Sequence, residues 1–543
     1  MNQAPSLGDL TLKQKIGQMM MVRYPDQDIL REMLAQGQAG SFYFGMRGQA
    51  AEQVVETLNS LQRQSLIPAI VAFGSACCTC GTGLLRGHLM RVGATRDPEL
   101  AYRLAYLESV EQRAYGFHIP GLPCLDVNTN PANPIINTRA ISDDAELVTE
   151  LGLPLLRAQK DARALSCVMH FPGHGDTAED SHIRIPTVNR TVAELWEVDL
   201  LPYREAIPQG LITGICTNHN HYPAYEAGPP APATISHKII TDLLRGTLGY
   251  QGLIYSDSLT MKPMKDNYGI EEAAILAVLA GHDIILQDYN SDPRITHSAL
   301  VAAVKSGRIP LEQVDTSVAR ILQAKAWLGL FEGALVDPEQ LATRVATPEM
   351  KAFAQELARR AVTVLEDGAL PLRVSAAEQC LVLANGRKDL FDADMGLEFS
   401  PNHEQFFHAV QTRLPGAITY ALSEEFPAEQ LARARELAEA AEVVVVGLFS
   451  RVLCYHEDSI GIAAPYRQLL TDLITAGKTV ILCNFGNPYV LADLPPAAGT
   501  LCTYDEECPE SMVAAAEALF GEFTPTGKLP VRVSARYPFG AGR

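Results

Sequence analysis

The densest group of side chains that could carry out chemistry lies between residues 169 and 182, where the sequence reads MHFPGHGDTAEDSH. Three histidines and three acids fall within these 14 residues, which we call the His loop. The segment follows an apolar run at 166–168, so it is predicted to be a loop at the end of a strand. Gly173 and Gly175 predict a flexible loop whose backbone can approach a ligand. Imidazole and carboxylate groups placed there could transfer protons or bind a metal, but the spacing is not that of zinc sites, so we expect no metal.

A second candidate is Asp257, which follows the apolar run at 252–256. A carboxylate at the end of a barrel strand points into the barrel mouth. The same position could instead cap the following helix, with Asp257 or Ser258 supplying the capping oxygen. On position alone both interpretations stay open. His219 and His221 end another apolar run and are predicted to be structural rather than pocket-lining.

The elements that must position these side chains follow from hydrophobic patterning. Over the first 335 residues, short apolar runs alternate with longer amphipathic stretches, in seven or eight units. Nearly unbroken apolar strands indicate a parallel sheet covered by helices on both sides. We therefore predict an α/β protein with a (β/α)8 barrel of the TIM type, whose functional residues lie at the C-terminal ends of the strands.

A second set of apolar runs and helical segments predicts a smaller three-layer α/β/α sandwich after the barrel. We predict a catalytic barrel at 1–335, a linker and helix at 336–370, and the sandwich at 371–543. The sequence gives no information on the oligomeric state.

Composition limits the partners. The 543 residues carry a net charge of −19, which disfavours nucleic acid and anionic membranes and says little about a neutral substrate. No signal peptide is visible and no stretch approaches the about 18 apolar residues that span a bilayer, so we expect a cytoplasmic protein. The 11 cysteines suit reduced thiols, and the cluster Cys77, Cys78 and Cys80 lacks the second pair of a zinc site. We predict no cofactor.

Taken together, the His loop and the Asp257 segment resemble family 3 glycoside hydrolases, and among them the β-N-acetylglucosaminidase branch. The family loop has the form KHFPGHGDTxxDSH, and only its leading lysine is replaced here, by Met169. The nucleophile segment of the family is matched from Asp257 to Met261. Further matches lie at 15–19, 125–131, 137–139 and 527–531, so the resemblance spans nearly the whole chain.

The resemblance implies a retaining, exo-acting β-glycoside hydrolase for N-acetylglucosamine or a related modified amino sugar. Asp257 is then the nucleophile that forms a covalent glycosyl-enzyme, His182 the acid/base and Asp180 its orienting partner. Histidine suits this role because it titrates near neutrality. The implied substrate contacts are Arg139, His170, Asp126 and His174, although Asp126 could brace its own loop and His174 could organise it.

This sequence departs from the family at two positions. The family acid in the motif D-x-E-G-G has no counterpart in the stretch GSACC at 74–78, and the lysine before His170 is Met169. Either the pocket is remodelled for a sugar with altered outer hydroxyls, which Arg86 could reach, or the protein is a degenerate sugar-binding relative. Because a neutral base repels an anion less than a carboxylate does, phosphorolysis by a β-N-acetylglucosaminide phosphorylase is a further alternative.

Overall fold

The computed structural model describes residues 4–22, 26–45, 49–73, 87–121, 123–287, 291–385, 390–392, 397–399, 403–450 and 452–543. The chain divides into two compact units. The first comprises Met1–Leu84, Ala101–Val127 and Gly152–Thr347, and the second comprises Leu85–Leu100, Asn128–Leu151 and Pro348–Arg543. That the sequence-predicted boundaries at 335 and 371 delimit domains stays a prediction.

The first unit is a closed barrel of parallel strands. Its strands are β1 (Met20–Val22), β2 (Ser41–Phe44), β3 (Ile70–Phe73), β4 (Val168–Phe171), β5 (Gly214–Thr217), β6 (Leu253–Tyr255) and β7 (Ile285–Gln287). They pair in parallel as β7–β1–β2–β3 and as β4–β5–β6. Nearly every strand residue is buried, as expected for a parallel sheet covered on both faces.

Two sets of isolated bridges close this ring. Ile119 and Cys124 take the eighth position, because Ile119 bridges Ala72 of β3 and Cys124 bridges Met169 of β4. A bridge between Tyr255 and Ile284 joins β6 to the start of β7. The predicted (β/α)8 barrel is confirmed, although Cys124 contributes a single bridge instead of a regular strand.

Helices connect the barrel strands, and several begin at a capping side chain. Thr11 and Thr191, for example, each accept a hydrogen bond from the backbone amide three residues later. The helices are Leu12–Gln18, Gln27–Ala35, Ala51–Gln64, Pro98–Tyr115, Ala145–Asp161, Val192–Glu194, Leu195–Asp199 (a π-helix), Leu201–Ala206, Lys238–Thr247 (a π-helix), Lys262–Tyr268, Ile270–Ala280, Pro293–Lys305, Leu311–Trp327 and Leu341–Arg344. Two of them contain a boundary between the units, which falls after Leu100 in Pro98–Tyr115 and after Leu151 in Ala145–Asp161. No helix in the described part of the chain is both long and apolar enough to cross a membrane.

The second unit is built on a six-stranded sheet. Its strands are β8 (Thr363–Glu366), β9 (Cys380–Asn385), β12 (Ile418–Leu422), β13 (Val443–Ser450), β14 (Thr479–Gly486) and β15 (Gly499–Cys502), and a separate antiparallel pair is formed by β10 (Leu390–Asp392) and β11 (Leu397–Phe399). The sheet order is β12-β9-β13-β14-β15-β8, parallel except for β8. The helices of this unit are Met90–Thr95, Pro348–Ala361, His403–Arg413, Ala428–Ala440, Ala464–Thr475 and Pro509–Phe520.

Alternate residues of β13 enter two different hydrophobic clusters. Val444 and Val446 belong to one cluster, whereas Val443 and Val445 belong to the other. Since successive strand side chains point to opposite faces, the sheet is packed on both sides. The predicted three-layer sandwich is thereby confirmed.

Candidate active site

The barrel brings six of the seven predicted site residues to the carboxyl ends of its strands. Asp126 follows the bridge at Cys124, and His170 lies on β4. The others are on the segments that follow β4 and β6, namely His174, Asp180, His182 and Asp257. Because carboxyl ends of parallel strands meet on one face of a barrel, these side chains share that face.

Arg139 lies in the second unit, at the end of the short 3-10 helix Asn137–Arg139. Its guanidinium donates a hydrogen bond to the carbonyl oxygen of Ile135 at 3.0 Å. Its role in substrate binding stays a prediction.

Asp126 anchors the start of the His loop. Its Oδ2 lies 2.7 Å from Nδ1 of His170 and accepts the backbone amide of His170 at 3.1 Å, and its Oδ1 accepts the amide of His174 at 2.7 Å. Burial alone would raise the pKa of Asp126, but the nearby imidazoles and the amide of His174 lower it to about 2. The carboxylate is therefore ionised and engaged by the loop on both oxygens. This geometry supports the bracing interpretation of Asp126.

Asp180 and His182 form a hydrogen-bonded pair. Oδ1 of Asp180 lies 2.8 Å from Nδ1 of His182 and also accepts the backbone amide of that histidine at 2.7 Å. The Asp180 side chain is fully buried, while 17% of the His182 side chain is exposed. A carboxylate accepts hydrogen bonds only, so Nδ1 of His182 carries the proton of this contact.

His174 organises the loop from inside. Its Nδ1 lies 3.0 Å from the hydroxyl of Thr177 and its Nε2 lies 2.9 Å from the hydroxyl of Ser181. The side chain is buried, and both ring nitrogens contact residues of the loop itself. These contacts link the first part of the loop to Ser181, between Asp180 and His182.

Further contacts brace the loop where the sequence predicted flexibility. The side-chain amide of Asn218 donates to the carbonyls of His170 at 3.3 Å and of Gly173 at 3.4 Å, and the hydroxyl of Tyr222 also donates to Gly173. Gly173 itself has a φ of +145° and packs against Asp199. Glycine at this position thus allows close approach to another side chain of the protein.

Asp257 lies two residues beyond β6 and accepts the amide of Ser258 at 2.7 Å. The next helix begins at Lys262 after Met261, with no side-chain cap, so the alternative in which Asp257 caps it is wrong. Burial would raise the pKa of Asp257, but His219, His170 and His182, with the Ser258 amide, lower it overall. The carboxylate is therefore ionised within the electrostatic reach of His182.

His219 lies beside the Asp257 segment and is hydrogen-bonded to other residues through both ring nitrogens. Its Nε2 lies 2.8 Å from the carbonyl oxygen of Ser258, and its Nδ1 lies 2.8 Å from the hydroxyl of Thr234. Burial lowers the pKa of His219, although the nearby Asp257 opposes this shift. His219 lies two residues beyond β5, as Asp257 lies two residues beyond β6. His221 is turned to the loop that follows, where its Nδ1 accepts the amide of Ala231 at 3.2 Å.

One group of potential metal ligands occurs among the described residues. Atoms of Cys124, Asp126 and His170 lie within 4.8 Å of one another. They are already hydrogen-bonded, because Oδ2 of Asp126 contacts both the thiol at 3.2 Å and the imidazole at 2.7 Å. Several other sequence-based candidates lie outside the described residues, namely Arg86, the cysteine cluster Cys77, Cys78 and Cys80, and the stretch 74–78. Met169 is buried on β4.

Comparison with known proteins supplies an independent line of evidence. The family profile described as "Glycosyl hydrolase family 3 N terminal domain" matches residues 11–324. The chain is 34% identical over 319 residues to β-hexosaminidase A of Pseudoalteromonas piscicida, a match covering 55% of this chain and 53% of that protein. It is 30% identical over 357 residues to a β-N-acetylglucosaminidase/β-glucosidase of Cellulomonas fimi, with 63% of each covered. The chain thus spans between about half and two thirds of the length of these relatives.

A solved structure is similar over nearly the full chain. The family 3 β-N-acetylglucosaminidase of Paenibacillus sp. str. FPU-7 superposes with a TM-score of 0.86 at 30% identity, covering 97% of this chain and 99% of that one. The likeness extends over both the barrel and the sandwich.

Proposed function

Because this chain belongs to glycosyl hydrolase family 3, we propose that it is a retaining β-glycoside hydrolase with Asp257 as nucleophile and His182 as acid/base. The observation that carries the proposal is the electrostatic relation between these residues. His182 helps to lower the pKa of Asp257, which is ionised, and Nδ1 of His182 is hydrogen-bonded to the buried Asp180. A nucleophilic anion and an oriented imidazole are the two groups that a retaining mechanism requires.

In the first step, a carboxylate oxygen of Asp257 attacks the anomeric carbon while Nε2–H of His182 protonates the departing oxygen. The bond to the leaving group breaks and a glycosyl ester forms on Asp257. In the second step, neutral His182 takes a proton from water, which attacks the same carbon and releases Asp257. Asp180 stabilises the imidazolium present at the start of the cycle and restored at its end.

The lowered pKa of Asp257 suits this sequence, because a nucleophile must be ionised when the acid is protonated. A carboxyl group and an imidazole titrate in different ranges, so both requirements are met near neutral pH. A second carboxylic acid as the donor would need a raised pKa to remain protonated there.

For the substrate we propose β-linked N-acetylglucosamine or a related modified amino sugar, released from a chain end. The names of the two relatives and of the similar solved structure support this choice. Met169 in place of the family lysine, and the stretch GSACC without an acid, favour a sugar whose outer hydroxyls are altered. A site that loses both an anion and a cation loses hydrogen bonds to those hydroxyls.

The test is turnover of a panel of aryl β-glycosides, with and without N-acetyl groups and with modified outer hydroxyls, each in the presence and absence of phosphate. We expect free sugar in both conditions, and a 2-fluoro glycoside should label Asp257. Asp257→Ala should lower kcat by about 10⁴-fold or more, whereas Asp266→Ala, on an exposed carboxylate of the next helix, should not.

Other outcomes would redirect the proposal. Sugar 1-phosphate formed only with phosphate present would indicate a phosphorylase. Sugar binding without turnover of any glycoside would indicate a degenerate relative. A label on a residue other than Asp257 would refute the assignment of the nucleophile.

A further inference from the structure

A buried arginine outside the proposed chemistry joins the His loop to the barrel. One terminal nitrogen of Arg190 donates to Oδ2 of Asp199 at 2.7 Å, and the other donates to Oδ1 of Asp176 at 3.1 Å. The Asp199 side chain is fully buried and that of Arg190 is 12% exposed, whereas that of Asp176 is 31% exposed. Asp176 belongs to the His loop, and Asp199 ends the π-helix Leu195–Asp199.

Asp199 holds the loop at a second point. A Cβ added to Gly173 would lie 2.6 Å from Cβ of Asp199, so the loop backbone rests directly on this side chain. Gly173 and Asp176 are thus fixed to one residue, the first by contact and the second through Arg190. The planar guanidinium fork suits this task because it offers separate donors to two carboxylates in a fixed geometry.

The contacts of the loop with itself carry this restraint onward. Asp176 is followed by Thr177, which touches His174, and His174 touches Ser181 beside the Asp180–His182 pair. A displacement of Asp176 therefore reaches the acid/base within a few residues. We propose that Arg190 is a positioning residue that fastens the His loop to the barrel wall and thereby orients the Asp180–His182 pair toward the leaving group.

Charge explains why the fastening depends on arginine. Asp176 and Asp199 are acidic side chains bridged by one guanidinium cation, whose loss removes both of the charge-assisted hydrogen bonds that join them. Asp176 is partly exposed and can move into solvent, while Asp199 cannot. Loss of Arg190 should therefore release Asp176 of the His loop and leave Asp199 in place.

The catalytic part of this inference rests on the proposed function, and leaving groups provide its test. A 2,4-dinitrophenyl group departs without protonation, whereas an unsubstituted phenyl group needs a general acid. For Arg190→Ala we expect kcat/KM for the phenyl glycoside to fall by about a hundredfold, and kcat/KM for the dinitrophenyl glycoside to change by less than about threefold. Arg190→Lys keeps the charge without the fork and should restore part of the loss.

Asp176→Asn is the second variant, because it cuts only the partly exposed side of the bridge and spares the buried pair. It should show the same dependence on the leaving group. Arg184→Ala is the matched control, since Arg184 pairs with Glu179 of the same loop at 3.2 Å but on the exposed surface. An equal loss on both glycosides, or no loss in Arg190→Ala and Asp176→Asn, would overturn the inference.

A measurement without substrate separates this inference from the proposed function. Backbone amide exchange in residues 174–182 should accelerate in Arg190→Ala and in Asp176→Asn but not in Arg184→Ala. If the wild-type protein turns over no glycoside, the proposed function fails and the exchange result alone decides whether Arg190 orders the loop. Unchanged exchange would refute the fastening itself.

Discussion

Oδ1 of Asp180 accepts two hydrogen bonds from one residue, His182: the backbone amide at 2.7 Å and Nδ1 at 2.8 Å. The amide fixes the distance between the two residues, and the ring contact fixes the tautomer. Because Asp180 is fully buried, its charge acts on the imidazole with little screening by water. The two contacts together fix the orientation of the His182 ring.

Replacement of Asp180 by Asn tests how much the negative charge of Asp180 contributes to turnover. The amide keeps the shape of the side chain, but it no longer stabilises imidazolium and can turn its NH2 group toward Nδ1, which selects the wrong tautomer. We expect kcat/KM on a phenyl glycoside to fall by about 10²- to 10⁴-fold, and the alkaline limb of its pH profile to move to lower pH. Steady-state rates between pH 5 and 9 provide the measurement, with Glu179→Gln as the exposed acidic control. A profile identical to the wild type would contradict the assigned role.

Asp126 should contribute to stability in a pH-dependent way. Its pKa is about 2 in the folded protein and 3.8 in the absence of the fold, so its stabilising effect is present above the unfolded value and is lost as pH falls toward 2. Asp126→Asn should lower the free energy of unfolding at pH 7 by about 2–4 kcal/mol, since the hydrogen bonds of His170 and His174 to a buried carboxylate are weakened. Urea unfolding at pH 7, 5 and 3 is the measurement. A difference between variant and wild type that stayed constant down to pH 3 would show that the carboxylate charge is not responsible.

Asp199 should behave in the opposite sense. Burial raises the pKa of Asp199 to about 7, although Arg190 opposes this shift. A carboxyl with a raised folded pKa stabilises the fold below its unfolded value, and that contribution is lost as pH rises through the folded value. Asp199→Asn should therefore gain stability relative to the wild type as the pH rises from 4 to 7. Unfolding curves across this range test the sign, and a free energy of unfolding of Asp199→Asn that fell relative to that of the wild type as the pH rose would refute it.

Much of the barrel and its site could be predicted because both depend on local patterns. Parallel strands buried on two faces give unbroken apolar runs, and strand ends then mark where functional residues lie. The end of an apolar run indicated Asp257, and the end of another run marked His219 and His221. The coordinates were needed to show that Asp257 does not cap the next helix, because that helix begins after Met261.

Contacts between distant segments could not be predicted in this way. Arg190 contacts Asp176 and Asp199 because the chain folds back around β4 and β5. Hydrophobic periodicity does not predict how the chain folds back there. The same holds for Asn218, whose amide reaches the backbone of the His loop from the next strand. The inclusion of Leu85–Leu100 and Asn128–Leu151 in the second unit likewise leaves no compositional mark in the sequence.

Gly173→Ala tests whether the close approach between the His loop and Asp199 matters. The φ of +145° disfavours any residue with a Cβ, and the new methyl group would lie 2.6 Å from Cβ of Asp199. We expect a loss of about 2–5 kcal/mol in the free energy of unfolding, the sum of backbone strain and overpacking. Because the methyl group pushes the loop from the barrel, turnover of a phenyl glycoside should fall more than turnover of a dinitrophenyl glycoside. Denaturant unfolding and kcat/KM on both substrates are the measurements.

Gly228 offers a matched control for the backbone contribution. Its φ is +121°, but a Cβ there meets nothing within 4 Å. Gly228→Ala should therefore cost about 1–2 kcal/mol from strain alone and leave the ratio of the two glycoside rates unchanged. If Gly173→Ala cost no more than Gly228→Ala, Asp199 would have moved aside without consequence, and the packing of the loop on that side chain would not set the position of the acid/base.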